Sequence, residues 1–477
     1  MNLQTRSDLT PFFEPNSVAV IGSLREGFFG GYVVVRSLLR GGFQGRIYPV
    51  NPGYKDVLGL PVYSSLSKVP APIDLALIMI NSRSVPQILR DCGENGVKAA
   101  IIVADGFAER DEQGAQLQRE IVGIAKQAGI RIMGPNTAGV VNTHKHFYPC
   151  PYESGYESIR QGAIALVSQT GMTNPQAYPY PDYRCGVSKI CDLGNKCDVD
   201  ECDLLEYLGG DIHTRVIAIY LESIKDGRRL RRTCMTITAK KPVLVVKSGR
   251  TEQGAQASVS HTGSMAVNDT IFDAACRQSG VLRLDEFGEL FEVPKLFATQ
   301  PLPRGMNLGI LTITGGMAVM AIDMAEKYGL KLARLSDSTA SFLDRIFPGS
   351  GHMPVDIGPM MASVKDAFSH YPEILDTVMG DANVDSLLHI AWANPSGGVI
   401  ENYLHAYRYV RGRHKKPLAT WIYGPDSKAV QELGFQLEDM GFPVFRALET
   451  AVKALGLALR YARQRGLIAD HKQNRNR

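Results

Sequence analysis

From Ser17 to Asn142 short apolar runs alternate with amphipathic stretches. The runs Val18–Ser23, Arg46–Asn51, Leu75–Ile80, Ala99–Asp105 and Ile130–Gly134 have strand length and β-branched content. Between them, Tyr32–Arg40, Val85–Asn95 and Gln113–Ala128 place apolar residues at helical spacing. Such alternation predicts a parallel sheet covered on both faces, with ligands at the carboxyl ends of its strands.

The pattern restarts twice. After a Pro/Tyr-rich connector from Tyr148 to Tyr156, strands are expected at Gly162–Val167, Ser188–Leu193, Val216–Glu222, Val243–Lys247 and Val281–Leu284. A third set follows at Leu308–Thr312, Lys331–Leu335, Leu387–Ala391, Leu418–Tyr423 and Val444–Ala447, with Gly315 opening a helix. The expected fold is α/β: a Rossmann-like domain over 1–147, then two flavodoxin-like, doubly wound parallel-sheet domains over 158–300 and 304–468. A basic, flexible tail is expected over 469–477.

Composition narrows the class. A chain of 477 residues is too long for one core, and about three domains is the natural expectation. Its 44% hydrophobic and 21% charged residues are those of a globular protein, and a net charge of +4 does not point to nucleic acid. There is no membrane-length apolar run and no signal-peptide pattern, so a cytoplasmic protein without a membrane partner is expected. The eight cysteines form no C-x-x-C pair, and Cys185, Cys191, Cys197 and Cys202 match no zinc spacing, so reduced thiols and no metal are expected.

The first strand ends in Gly22-Ser23-Leu24-Arg25-Glu26-Gly27-Phe28-Phe29-Gly30-Gly31, glycines that let a phosphate approach the backbone without forming G-x-G-x-x-G. The second ends in Asn51-Pro52-Gly53, with no acidic residue where a nicotinamide dinucleotide would hold its ribose. A different phosphate-bearing nucleotide is therefore favoured. Arg25 and Lys55 lie just beyond these two strands, as phosphate partners or as ordinary solvated charges, and Asn81 and Asn136 complete the rim.

In the second set the strand ends carry Ser168-Gln169-Thr170-Gly171, Asp192 to Asp200, and Glu222 to Gly227. The stretch Lys241–Asp269 then reads as a strand, a mobile small-residue loop from Ser248 to Ser260, and Ser260-His261-Thr262-Gly263-Ser264 opening an amphipathic helix with Ile271, Phe272 and Ala275. A neutral imidazole at a helix N-terminus suits nucleophilic attack on a phosphoryl group, because free N–H groups there receive the new anion. Glu222 can fix the tautomer of His261, or can equally be a helix-capping acid.

Taken together, IGSLREGFFGG, IYPVNP, DLALIMI, GPNTAGVVN, SQTG, DLGNKCDVDE, YLESIKDGR, KSGRTEQGAQASVSHTGS, LTITGGMAV and MPVDIG follow the order and spacing of the NDP-forming acyl-CoA synthetases. The chain resembles their α-type subunit, related to the succinyl-CoA synthetase α subunit, from about Phe12 to Leu459. The resemblance implies coenzyme A contacts at Gly22, Ser23, Leu24, Arg25, Asn51 and Lys55, phosphorylation of His261, and support from Glu222. It also implies a phosphate bound by Ser168, Thr170 and Gly171 at a helix N-terminus, beside Ser260, Thr262 and Gly263. The implied reaction interconverts acyl-CoA, ADP and phosphate with a carboxylic acid, CoA and ATP through an acyl phosphate and a phosphohistidine.

The sequence contains no G-x-x-x-x-G-K-[ST] and no ATP-grasp-like segment, so the resemblance implies an ATP-grasp β subunit holding ADP or ATP with Mg²⁺, in an α2β2 assembly. One departure stands out. Pro175, Pro179 and Pro181 follow the SQ-x-G turn and cannot all sit inside one helix, so the phosphate-facing helix is expected to be shortened. Two rivals remain, a non-catalytic CoA-binding regulator of the same fold and a dinucleotide oxidoreductase. The small carboxylic acid is not specified, although Tyr178, Tyr180, Tyr183, Trp392 and Trp421 are candidates for an aromatic pocket.

Overall fold

The structure is a computed structural model that describes residues 8–152, 159–262, 268–364, 367–395 and 398–468, with main chain alone at 258–262 and 362. The expected tail 469–477 and residues 153–156 of the connector lie outside the described residues. The chain forms two compact units that divide between Leu290 and Phe291. The first holds two large sheets and the second holds one.

Fully buried runs make the first sheet. Ser17–Gly22, Leu75–Met79 and Ala99–Ile102 are apolar on both faces because helices cover both sides, which is why they read as continuous apolar runs and not as alternating ones. The strand order is Arg46–Val50, Ser17–Gly22, Leu75–Met79, Ala99–Ile102, Arg131–Met133, all parallel. The chain winds outward in both directions from Ser17–Gly22. Its topological switch point therefore lies where the ends of Ser17–Gly22 and Leu75–Met79 meet, with Gly22 beside Met79.

The second sheet repeats the plan. Its order is Leu282–Arg283, Val243–Lys247, Val216–Leu221, Gln161–Ser168, Val187–Asp192, all parallel. The switch point falls between Ser168 and the end of Val216–Leu221, where Tyr220 pairs with Ser168. A sixth strand, Val140–Asn142, lies antiparallel on the edge next to Val187–Asp192. The sequence reading placed these residues in the first domain with no strand, because a three-residue strand carries no period of its own. One apolar core runs through both halves of the unit and includes Val18, Leu77, Phe147, Val167, Leu193 and Ile219.

The α/β class and doubly wound plan expected from the sequence are those of the structure. In the second unit the order is Lys331–Leu332, Asn307–Thr312, Ser386–Trp392, Leu418–Tyr423, Val444–Phe445, with the short Val355–Asp356 also paired to Asn307–Thr312. Its core buries His389 between the hydroxyls of Tyr371 and Tyr407, the latter at 2.6 Å from Nδ1.

Two local expectations are corrected. Thr251–Ser260, expected as part of a mobile loop, belongs largely to a helix described over Glu252–Thr262, so His261 stands more than two turns into a helix that begins at Glu252 and not in the first turn of the next. Ala255, Ala257 and the glutamines are good helix formers, Thr251 accepts the N–H of Gly254 at 3.1 Å, and one glycine is not enough to break the run. The next helix, Asp269–Ser279, opens instead at Asn268, which accepts from Thr270 and Ile271. The SQ-x-G turn is the second case. It leads into a single 3-10 turn, Gly171–Thr173, so there is no α-helix N-terminus there. The prolines then carry the chain through a second 3-10 turn at Tyr180–Asp182, as their sequence required.

Candidate functional site

A cleft of about 1430 Å³ opens at the carboxyl ends of the first unit's strands and joins the two switch points. One end is lined by Gly22, Ser23, Asn51, Tyr54, Asn81 and Ser82, the other by Asn136, Gln169, Thr170, Gly171, Asp192 and Asn195.

At the first end the backbone itself forms the wall. Gly22 has φ 155°, and a Cβ there would stand 2.5 Å from the carbonyl oxygen of Met79, so only glycine lets the first strand turn beside its neighbour. Asn51 then locks two loops together: its side-chain NH₂ donates to the carbonyl of Gly22 at 2.8 Å and its carbonyl accepts from Gly53 at 2.8 Å. The result is an open, neutral rim of small polar groups, suited to the phosphates and ribose of a nucleotide.

The other sequence-named residues fall at different places. Leu24 is buried in the core. Arg25 and Lys55 are exposed and stand outside the cleft lining, and Arg110 is the only Lys or Arg among the described residues that line it. Arg110 stands four residues after Gly106, beyond the end of strand Ala99–Ile102, and is not among the cations that the sequence singles out.

The second end is built around a turn, Glu222-Ser223, that three side chains hold. Gln169 accepts the N–H groups of Glu222 and Ser223, each at 3.0 Å, and donates to the Ser223 hydroxyl at 2.8 Å. Lys196, buried with its partner Glu201 at 3.0 Å, donates to the carbonyl of Ser223 at 2.7 Å. Tyr220 donates to the Glu222 carboxylate at 3.2 Å. Glu222 is thus a buried carboxylate on a rigid turn and not a cap.

Register brings this turn to the root of the histidine segment. Leu221 pairs with Lys247, and Ser248 donates its N–H to Leu221 at 3.1 Å. Lys247 is buried and donates to the carbonyls of Ser248 and Gly249 at 2.8 and 3.2 Å, which fixes the point from which the chain leaves for helix Glu252–Thr262 and His261. Burial holds the Lys247 ammonium below its ordinary range. Ser168 is buried and accepts the N–H of Thr170 at 3.0 Å, so it shapes the turn, while Thr170 and Gly171 face the cleft. Gly263 lies outside the described residues, and Ser260 and Thr262 are placed by their backbone in the same helix as His261.

Asp192, Gln169 and Lys196 also shape this end of the cleft, and in the sequence they stand inside SQTG and DLGNKCDVDE, which by themselves assign them no role. Asp192 lines the cleft and accepts from Ala138 at 2.7 Å and Gly194 at 3.1 Å. Burial pushes its carboxyl up to about 6, with a smaller push from the charge of Glu222. Gly194 has φ 54°, and a Cβ there would stand 2.3 Å from the Pro135 carbonyl, which brings the 134–136 loop against the second sheet. The acidic run Asp198 to Asp203 clamps the same junction: Arg131, from the first sheet, pairs with Asp198 at 2.8 Å and Asp203 at 3.0 Å, and Arg229 pairs with Asp200 at 3.0 Å. Among the described residues, no group of three or more His, Cys, Asp or Glu could hold a metal ion. None of their helices is long and apolar enough to cross a membrane.

A nucleotide-ready switch point joined by one cleft to Gln169, the side chain that holds the buried Glu222 turn at the base of a histidine segment, defines a CoA-binding ligase of the succinyl-CoA ligase type. The profile of the CoA binding domain matches residues 16–143, and that of the succinyl-CoA ligase like flavodoxin domain matches residues 161–297. The chain is 38% identical to the ADP-forming acetate–CoA ligase II of Archaeoglobus fulgidus, over 97% of this chain and 68% of that protein. It is 35% identical to subunit alpha of the ADP-forming acetate–CoA ligase I of Pyrococcus furiosus, over 98% and 99% of the two chains. The solved dinucleotide-forming acetyl-coenzyme A synthetase 1 of Ca. Korarchaeum cryptofilum, in complex with phosphate and ADP, superposes with a TM-score of 0.87 at 31% identity, over 96% of this chain and 98% of that one. The chain belongs to the ADP-forming acyl-CoA ligase family.

Proposed function

We propose that this chain is the CoA-binding, histidine-bearing subunit of an acid–CoA ligase that works by phosphoryl relay. The single observation that supports the reading is the shared cleft, whose nucleotide-ready end opens onto the end lined by Gln169, the side chain that holds the Glu222 turn.

Coenzyme A lies with its nucleotide on Gly22, Ser23 and Asn51, with Asn81 and Asn136 along the rim and Arg110 as a cation for its phosphates. Leu24 acts from the core by shaping the turn, and Arg25 and Lys55 reach the nucleotide from outside the lining. The thioester end points along the cleft towards Thr170 and Gly171. In the energy-conserving direction phosphate attacks the acyl carbonyl, the C–S bond breaks, and CoA leaves as the thiolate. The resulting acyl phosphate gives its phosphoryl group to a ring nitrogen of His261 and leaves as the carboxylate. Glu222 bonds the other ring nitrogen and stabilises the cation that forms. Ser168, Thr170 and Gly171, with Ser260, Thr262 and Gly263, hold the phosphate in position, and positioning supplies most of the catalysis.

The phosphoryl group then passes to ADP, held with Mg²⁺ on an ATP-grasp partner in an α2β2 assembly. The name "subunit alpha" of a full-length relative supports a separate partner. The reading is tested by pairing the chain with an ATP-grasp subunit and following loss of free CoA thiol with acetate and with larger acids. ATP-dependent thiol loss supports it; none, with a partner that is competent alongside another α chain, favours the non-catalytic CoA-binding regulator.

A further inference from the structure

A second cavity, of about 640 Å³, lies on the helix-covered face of the second sheet and shares no lining residue with the cleft. Its floor is Ile219, Leu221 and Val245, and its walls are Leu230 of helix Gly227–Thr238 and Phe272 and Ala275 of helix Asp269–Ser279. The size is that of a small-molecule site, roughly 300 to 1,000 Å³. The floor is wholly apolar and can hold a hydrocarbon or an aromatic ring.

The mouth is different in kind. Arg228 and Arg231 line it, both exposed, three residues apart and so on one face of their helix. Asp226 is also at the mouth, where one of its carboxylate oxygens accepts the N–H groups of Arg228 and Arg229 at 3.0 and 2.9 Å and caps the helix. Lys225 turns its ammonium to the carbonyl of Lys196. Arg231 also reaches Met235 Sδ at 3.6 Å, a weak thioether acceptor that leaves its charge uncompensated. Two guanidinium groups thus stand over an apolar interior, an arrangement that matches a molecule with an apolar body and one anionic end.

We propose that this cavity binds an apolar carboxylate, with its alkyl or aryl body between helices Gly227–Thr238 and Asp269–Ser279 and its carboxylate at Arg228 and Arg231. The site is separate from the CoA cleft. One of its walls, helix Asp269–Ser279, is the next helix described after Glu252–Thr262 in the chain.

The test is calorimetric titration of the whole chain with decanoate, with 1-decanol as the uncharged counterpart and with or without saturating CoA. The expected result is one decanoate per chain, bound about tenfold tighter than decanol or more, a gap of about 1.4 kcal/mol, and unaffected by CoA. Ala275→Trp, which fills the cavity, abolishes binding, and Leu230→Phe weakens it from the opposite wall should the first variant not fold. The Arg228→Gln, Arg231→Gln double variant brings decanoate down to the level of decanol. The proposal is overturned by absence of binding, which would give the cavity to an apolar segment of a partner chain. It is equally overturned by displacement with CoA, by several decanoates per chain, or by binding that the folded variants leave unchanged.

Discussion

The side-chain carbonyl of Gln169 accepts the main-chain N–H of Glu222 at 3.0 Å and that of Ser223 at the same distance, across the switch point of the second sheet. One side chain on the phosphate-facing turn thus sets the position of the carboxylate assigned to His261. Replacement of Gln169 by leucine keeps the volume and leaves two buried N–H groups without their acceptor, at about 1–3 kcal/mol each. Turnover is expected to fall about 100-fold, the effect of a displacement near 1 Å, while CoA affinity stays within about twofold, which steady-state kinetics and CoA titration together would show.

Lys196 and Glu201 are both buried and pair at 3.0 Å. Lys196→Met strands the glutamate charge, and a loss of about 3–5 kcal/mol is expected in urea unfolding. The double variant Lys196→Met, Glu201→Met recovers most of that stability. It does not recover turnover, because the bond from Lys196 to the Ser223 carbonyl is gone.

Gly22→Ala introduces a Cβ 2.5 Å from the Met79 carbonyl, which forces the two strand ends apart where the nucleotide is assigned. CoA affinity is expected to fall at least about tenfold, a difference of about 1.4 kcal/mol. Gly27→Ala, in the same loop and with open space around its added Cβ, leaves it unchanged. Equal loss in both variants would remove Gly22 from the site.

The second unit has its own pH signature. Burial lowers the His389 imidazole from 6.5 to about 3. Above pH 6.5 it is neutral folded and unfolded, so it adds no pH dependence there. Below that value the unfolded chain takes up a proton that the folded chain refuses, and stability falls by about 1.4 kcal/mol per pH unit until pH nears the folded value. Between pH 6.5 and 5 the wild-type chain should lose about 2 kcal/mol more than His389→Phe in urea unfolding. Parallel losses would contradict the assignment.

The sheets were legible because buried parallel strands are apolar on both faces, and the glycine and asparagine turns named their carboxyl ends. Gln169, Lys196 and Asp192 stood inside quoted motifs, yet what they do depends on partners 27 to 54 residues away, such as Ser223 for Lys196 and Gln169 and Ala138 for Asp192, and no local period reports such pairs. The segment before His261 misled because Gly249 and Gly254 look like loop residues, whereas the alanines and glutamines between and after them favour helix. Arg25 and Lys55 are named by their place just beyond the first two strands and by the resemblance, and neither signal tells whether a side chain lines the cleft. Arg110, further along the chain, is the cation that lines the cleft.

The most direct test of the account is transfer of label from γ-labelled ATP and Mg²⁺ to this chain in the presence of an ATP-grasp subunit. The account predicts acid-labile, base-stable label on the wild-type chain, none on His261→Ala, and severely reduced label on Glu222→Gln. Full labelling of His261→Ala, or no label on the wild type beside a partner that labels another α chain, would contradict the phosphoryl relay.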